Sequence, residues 1–252
     1  MKTAVILFAY KRPRYLKKTL AALERAYLSL PYISVGKDYL YYDRINLDRL
    51  CFIDYSEIQP KIFDLVSNSG MFDKVTLRNN NYGLSDNIKH GIFEAFQVYD
   101  AVIILEDDIV IEPDALIYLQ NQLIKHKDNK EIGQVNLQGN HPSSHGWAIW
   151  KDRWEQIDWD NVPYQEGELL KQFNKHGAVW DIIFHHNFDS LGWKAIGEKK
   201  AKHIGRAGEH FKWYSNFRIR KYFREWKDNY YRDKDLIMGK EKLPETLFRR
   251  FL

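Results

Sequence analysis

The sequence predicts an α/β protein: a mostly parallel sheet flanked by helices, followed by a basic helical tail. Three observations predict it. Short unbroken apolar runs, such as Ala4 to Ala9 and Ala101 to Leu105, have the length and composition of strands buried on both faces. Segments with apolar residues at helical spacing alternate with them, as in parallel sheets whose strands are joined by helices. Polar, glycine-bearing or acidic residues follow the runs, at the strand ends where open parallel sheets hold their ligands.

The elements follow in order. Ala4 to Ala9 is the first strand, and Leu16, Leu20 and Leu23 mark a helix that opens at Pro13, a favoured first-turn residue. Residues 28–48, tyrosine-rich and broken by Pro31 and Gly36, fit the alternation poorly and read as an inserted loop or small irregular excursion. Leu50 to Ile53 is a strand ending at Asp54, and Val75 to Leu77 is a third. Leu84, Ile88, Ile92 and Phe96 mark a helix face. Ala101 to Leu105 ends in Glu106, Asp107 and Asp108, and Leu116, Leu119 and Leu123 mark a helix after Pro113. Beyond Ile132 to Leu137 the alternation breaks down, and Trp, His and Gly become frequent up to His210.

Composition narrows the classes. With 252 residues, 44% hydrophobic and 29% charged, the chain is an ordinary globular one able to bury a core. Its apolar runs are far shorter than the roughly 20 residues that span a bilayer. The first run is followed by Lys11, Arg12 and Arg14 instead of a signal cleavage site, so a cytoplasmic setting is expected. The single cysteine, Cys51, excludes an intramolecular disulfide framework and a cysteine-based zinc site. Residues 211–252 carry 12 Lys/Arg against 6 Asp/Glu, together with eleven aromatics, whereas the remainder is near neutral. There Ile219, Phe223, Trp226 and Tyr230 recur at helical spacing among basic residues, the pattern of an amphipathic helix that either lies on an anionic membrane face or packs on the body.

The motifs point to phosphate and sugar chemistry. Three adjacent carboxylates, Glu106, Asp107 and Asp108, repel one another unless a cation neutralises them, and hard oxygen ligands suit Mg²⁺ or Mn²⁺ bridged to substrate phosphates. A solvated acidic turn capping the next helix is the plainer reading. Asn79 to Ser85 precedes a helix whose first N–H groups are free to meet an anion or a base edge, with Gly83 allowing close approach; a simple capped turn explains it equally. Arg12 suits phosphate oxygens, or is a surface arginine at a helix start. Trp147, Trp150 and Trp154 are sugar platforms or core. Asp181, beside Trp180, is a candidate general base or a helix cap. His203 and His210, in a loop with Gly205, Arg206 and Gly208, are each candidates to complete a metal shell with Asp108. No dinucleotide or Lys-bearing phosphate loop is present, which argues against a dinucleotide enzyme or an NTPase.

The succession Val5 to Pro13, Asn81 to Ser85, Ile103 to Asp108, Gly146-Trp147, Trp180-Asp181 and the Gly205/Gly208 loop resembles the GT-A (Rossmann-like) glycosyltransferases. It looks closest to bacterial sugar transferases related to the N-acetylglucosaminyltransferase I family. The resemblance implies one glycosyltransferase domain over 1–210, divided into a nucleotide-sugar half (1–130) and an acceptor half (131–210), with 211–252 as a basic aromatic tail. It implies that Asp108 binds Mn²⁺ or Mg²⁺ and that Asp181 is the base of an inverting transfer, while His210 is the histidine expected to complete the metal shell. Donor-binding positions by the same likeness are Ala9, Tyr10, Arg12, Asp54, Asn81, Gly83, Asn87, Glu106 and Asp107, with Asp54 reading uracil. Gly146, Trp147, Trp180 and Arg206 would line the sugar or acceptor pocket. The expected donor is a UDP-sugar and the expected acceptor a glycan or lipid-linked saccharide, with peripheral contact at the inner face of a membrane through the tail; nucleic acid is not expected. His145 before Gly-Trp and the 28–48 insertion depart from the pattern. Two other classes stay open: a non-catalytic nucleotide- or glycan-binding module, and a sugar nucleotidyltransferase sharing the fold.

Overall fold

The computed structural model describes residues 1–30, 32–34, 42–44, 47–160 and 180–205. The chain opens with β1 (Thr3–Ala9) and α1 (Pro13–Leu28), then an antiparallel pair, β2 (Tyr32–Ser34) and β3 (Tyr42–Arg44). The alternation continues through β4 (Asp48–Ile53), α2 (Gln59–Asn68), β5 (Lys74–Leu77), α3 (Gly83–Ala95) and β6 (Ala101–Glu106). Next come β7 (Ile109–Ile111), α4 (Ala115–His126), β8 (Ile132–Asn136), β9 (Trp147–Trp150) and α5 (Lys151–Trp154). The last described elements are α6 (Trp180–Ser190), β10 (Lys194–Gly197) and β11 (Ala201–His203).

Seven strands form one sheet in the order β10-β8-β9-β6-β1-β4-β5. All neighbours are parallel except β9, which runs antiparallel to both β6 and β8. The mostly parallel α/β sheet expected from the sequence is therefore present. Its central strand explains the unbroken apolar run. Along β1, Val5, Leu7 and Ala9 enter one core with Leu16, Leu20 and Leu23 of α1, Ile62 and Val66 of α2, and Leu116, Leu119 and Leu123 of α4. The alternate residues Ala4, Ile6 and Phe8 enter a second core with Ile88 and Ile92 of α3 and Phe184 and Phe188 of α6. Both faces are covered, so alternation between apolar and polar residues has no place in this strand.

Within 28–48, expected to be an inserted loop or small irregular excursion, β2 and β3 pair with each other in a sheet separate from the main one, and residues 31, 35–41 and 45–46 lie outside the described residues. A second ribbon joins β7 to β11, antiparallel, with His203 opposite Ile109. It lies directly after the acidic triplet, and the Ile204 N–H donates to the Asp108 carbonyl at 2.9 Å. Residues 211–252, where an amphipathic helix is expected, and Arg206, Gly208 and His210 lie outside the described residues.

Candidate active site

The carboxyl ends of β1, β4 and β6 lie side by side, with Ala9 opposite Ile53 and Phe8 opposite Glu106. Whatever follows these strands therefore meets at one rim. Asp107 and Asp108, each 1% exposed, face Arg12, whose two terminal nitrogens bridge the pair: Nη2 to Asp107 Oδ1 and Nη1 to Asp108 Oδ2. Two buried carboxylates at adjacent positions require positive charge, and in this structure Arg12 supplies it. Asp107 is held further by the Tyr10 N–H at 3.0 Å, and its carbonyl accepts from Thr19 Oγ1 at 3.0 Å. His203 Nε2 lies 3.0 Å from Asp108 Oδ2, and the His145 ring stacks on His203 with centroids 4.6 Å apart. His203, not singled out above His210 by the sequence, thus reaches Asp108 because β11 pairs with β7.

The electrostatics follow from this crowding. Burial pushes the Asp107 carboxyl up against the pull of Arg12. On Asp108 burial is outweighed by His203 and Arg12, which hold the carboxyl below its usual range. Glu106, half-buried, is pushed up to about 8 by burial and then by Asp108, Asp107 and Asp181, with Arg12 opposing. Asp181 itself is buried in the first turn of α6. Trp180 anchors this turn by stacking on Trp147 at 5.8 Å.

The second part of the rim is the start of α3. Asp54 takes the N–H groups of Tyr55 and Tyr82 on Oδ1, each at 2.9 Å, and that of Gly83 on Oδ2 at 3.0 Å. Its carboxylate is the anion at the positive end of α3, where the sequence suggested a ligand. Burial still pushes Asp54 up against these three bonds. Asn81 folds back on the Gly83 N–H at 2.8 Å and donates to the Tyr10 hydroxyl at 2.8 Å, joining two expected donor residues across the rim. Gly83 has φ +73°, a conformation that favours glycine.

Several expectations need correction. Trp147 is fully buried and Trp180 3% exposed; their faces lie against each other and Phe184, so they are core, not open sugar platforms. Gly146 is a bend with φ +78° packed on Leu137. Asn87, expected at the donor, is buried and accepts from Arg78 Nε at 3.0 Å. Ala9 contributes its carbonyl to the Asp54 N–H at 3.0 Å. Arg78, which the sequence reading passed over, is buried between Phe52 and Tyr82 with Nη2 unpartnered. Its position just after β5, at the same rim as Asp54 and Glu106, was the available signal.

A divalent cation is implied by the resemblance, and the residues fit one in part. Asp108 Oδ1 is buried without a hydrogen-bond partner, and His203 adds an imidazole on the neighbouring oxygen. No group of three such ligands occurs among the described residues. One carboxylate completed by substrate phosphates and water is a common arrangement for Mg²⁺, and the His203 imidazole would be an additional, softer ligand.

No family model matches the sequence, and no curated protein matches it. Solved structures do resemble the fold. The mannosyltransferase PcManGT from Pyrobaculum calidifontis, in complex with GDP-Man and Mn²⁺, superposes with a TM-score of 0.52 at 13% identity, over 83% of this chain and 59% of that one. TarS of S. aureus gives 0.50 at 13% identity, over 80% of this chain and 36% of that one. A cytidylyltransferase from Leptospira borgpetersenii gives 0.46 at 12% identity, over 79% and 77% of the two chains. The chain thus shares a GT-A-like fold with the mannosyltransferase and TarS structures, and spans less than two thirds of each.

Proposed function

We propose that the chain is a glycosyltransferase that moves a sugar from a nucleoside diphosphate donor to an acceptor hydroxyl. The observation that carries the reading is the rim itself: Arg12, Asp107, Asp108 and His203 converge at the strand ends of a GT-A-like sheet, with one buried Asp108 oxygen unpartnered. A UDP-sugar is the donor favoured by the resemblance, a glycan or lipid-linked saccharide the acceptor, and Mn²⁺ or Mg²⁺ the cation.

In the proposed reaction the bond from the anomeric carbon to the diphosphate breaks, and the diphosphate keeps the electron pair. A divalent cation held by Asp108 and His203 would neutralise the charge that grows on this leaving group. Arg12 adds a planar guanidinium for its oxygens. The acceptor oxygen bonds to the anomeric carbon from the other side, and its proton passes to the carboxylate of Asp181, which inverts the centre. Trp180, locked against Trp147, fixes the turn that carries this base.

The test is product analysis with nucleotide-sugars and saccharide acceptors. A transferase releases free nucleoside diphosphate only with acceptor present and gives the inverted anomer. A nucleotidyltransferase would instead release pyrophosphate from a nucleoside triphosphate, and a binding module would release neither. Asp181→Asn should lower turnover by roughly 10²–10⁴ with donor binding nearly unchanged. Loss of donor binding in that variant, or a retained anomer, rejects Asp181 as the base.

A further inference from the structure

Arg12 is placed in a way that a phosphate ligand alone does not explain. Its backbone is fixed, because its carbonyl accepts the Tyr15 and Leu16 N–H groups at 3.1 and 3.0 Å as α1 begins. Its side chain is turned away from open solvent and bridges Asp107 to Asp108, with 12% exposure. Asp108 Oδ2 has two lone pairs, and both are in use, one on Arg12 Nη1 and one towards His203 Nε2 at 3.0 Å. The roof over this contact is the backbone of Gly205: a Cβ there would stand 1.9 Å from Asp108 Oδ2 and 2.9 Å from Arg12 Nη1. A cation that takes both Asp108 and His203 must turn these groups from one another towards itself. It would also sit against a guanidinium of like charge on the same carboxylate.

We propose that Arg12 is a displaceable counter-ion that competes with the divalent cation for Asp108, and that the cation, by displacing it, frees its guanidinium for the donor diphosphate. The inference rests on the transferase reading for its second half. Without ligand, Arg12 keeps two buried carboxylates from standing uncompensated, which would be strongly unfavourable. With the cation bound, that service is redundant and the fork is available. Cation and diphosphate should then bind cooperatively, each raising the affinity of the other by one shared factor.

The experiment is a Mn²⁺ titration of the full chain, read by the loss of the free-ion EPR signal, first without nucleotide and then with UDP, GDP or CDP. Arg12→Gln removes the competitor and should bind Mn²⁺ about tenfold more tightly than the native chain. Arg12→Lys, which keeps a charge but cannot bridge both carboxylates, should tighten binding less, and it serves if the glutamine variant fails to fold. In the native chain the nucleoside diphosphate should tighten Mn²⁺ binding about tenfold, and in both variants that gain should shrink severalfold. Mn²⁺ affinity that is unchanged or weaker in the folded variants overturns the role of Arg12. If the variants tighten Mn²⁺ binding but no nucleoside diphosphate affects the native chain, the transferase reading and the diphosphate half of this inference fail instead.

Discussion

At the tip of β6 one carboxylate oxygen, Asp108 Oδ2, has both a guanidinium and an imidazole, while its twin has no partner. The absence of a side chain at Gly205 is what lets the backbone close over this contact. Gly205→Ala should therefore push the Asp108 carboxylate, its nearest neighbour, out of the position in which it can hold a cation, weakening Mn²⁺-dependent nucleotide binding by tenfold or more, while stability falls by about 1–3 kcal/mol, as for other overpacked sites. Parallel calorimetric titration and urea unfolding separate the two effects; full binding in the alanine variant contradicts the crowding. Glu106 supplies a pH signature. Its folded pKa, near 8, lies above the ordinary glutamate range, so the folded state holds a proton that the unfolded chain has lost. Stability of the ligand-free chain should thus fall as pH rises from about 4.5 through 8, and Glu106→Gln should flatten that slope in urea titrations. The triplet and Arg12 were legible as candidates, each at a strand end. Their direct pairing was not, because 95 residues separate Arg12 from Asp107 and only the parallel pairing of β1 with β6 brings them together.

At the scale of elements, Asp54 joins β4 to α3 by taking three backbone N–H groups on one buried carboxylate. Asp54→Ala leaves those donors without it and should destabilise the chain by about 2 kcal/mol in urea unfolding, with α3 the first element to lose amide-exchange protection. An effect confined to nucleotide affinity would mean that Asp54 serves the ligand and not the helix. The strands β1, β4, β5 and β6 and the helices α1, α3 and α4 could be read from the sequence because each buried face repeats at its own spacing. Helix α2 went unread although Pro60 stands in its first turn and Ile62 and Val66 supply the buried stripe. Strand β9 was hidden by its tryptophans: Trp147 and Trp150 read equally as platform or core, and burial between sheet and α6 settles Trp147 as core. The β7–β11 ribbon has only three residues per strand, too few to show a period.

Across the whole molecule, the order β10-β8-β9-β6-β1-β4-β5 puts β1 at the centre of the parallel half, so its end, the acidic triplet after β6 and Asp54 after β4 share one rim. No helix among the described residues is long and apolar enough to cross a membrane. The topology was predictable in class but not in detail, since the antiparallel β9 and the elements after it depend on contacts between distant segments. A likeness at 13% identity that still covers 83% of the chain shows a similar fold built from different side chains, and the chemistry must be read from the rim. The role proposed for this rim is to bind a nucleoside diphosphate sugar with a divalent cation. The most direct test is the melting temperature of the full chain against UDP-, GDP-, CMP- and dTDP-sugars, with and without Mn²⁺. At least one nucleoside diphosphate sugar should raise Tm by about 5 °C at ligand well above Kd, only with Mn²⁺, and the gain should vanish in Asp108→Ala. No shift with any nucleotide-sugar, or a shift that survives both removal of Mn²⁺ and loss of Asp108, would contradict the account.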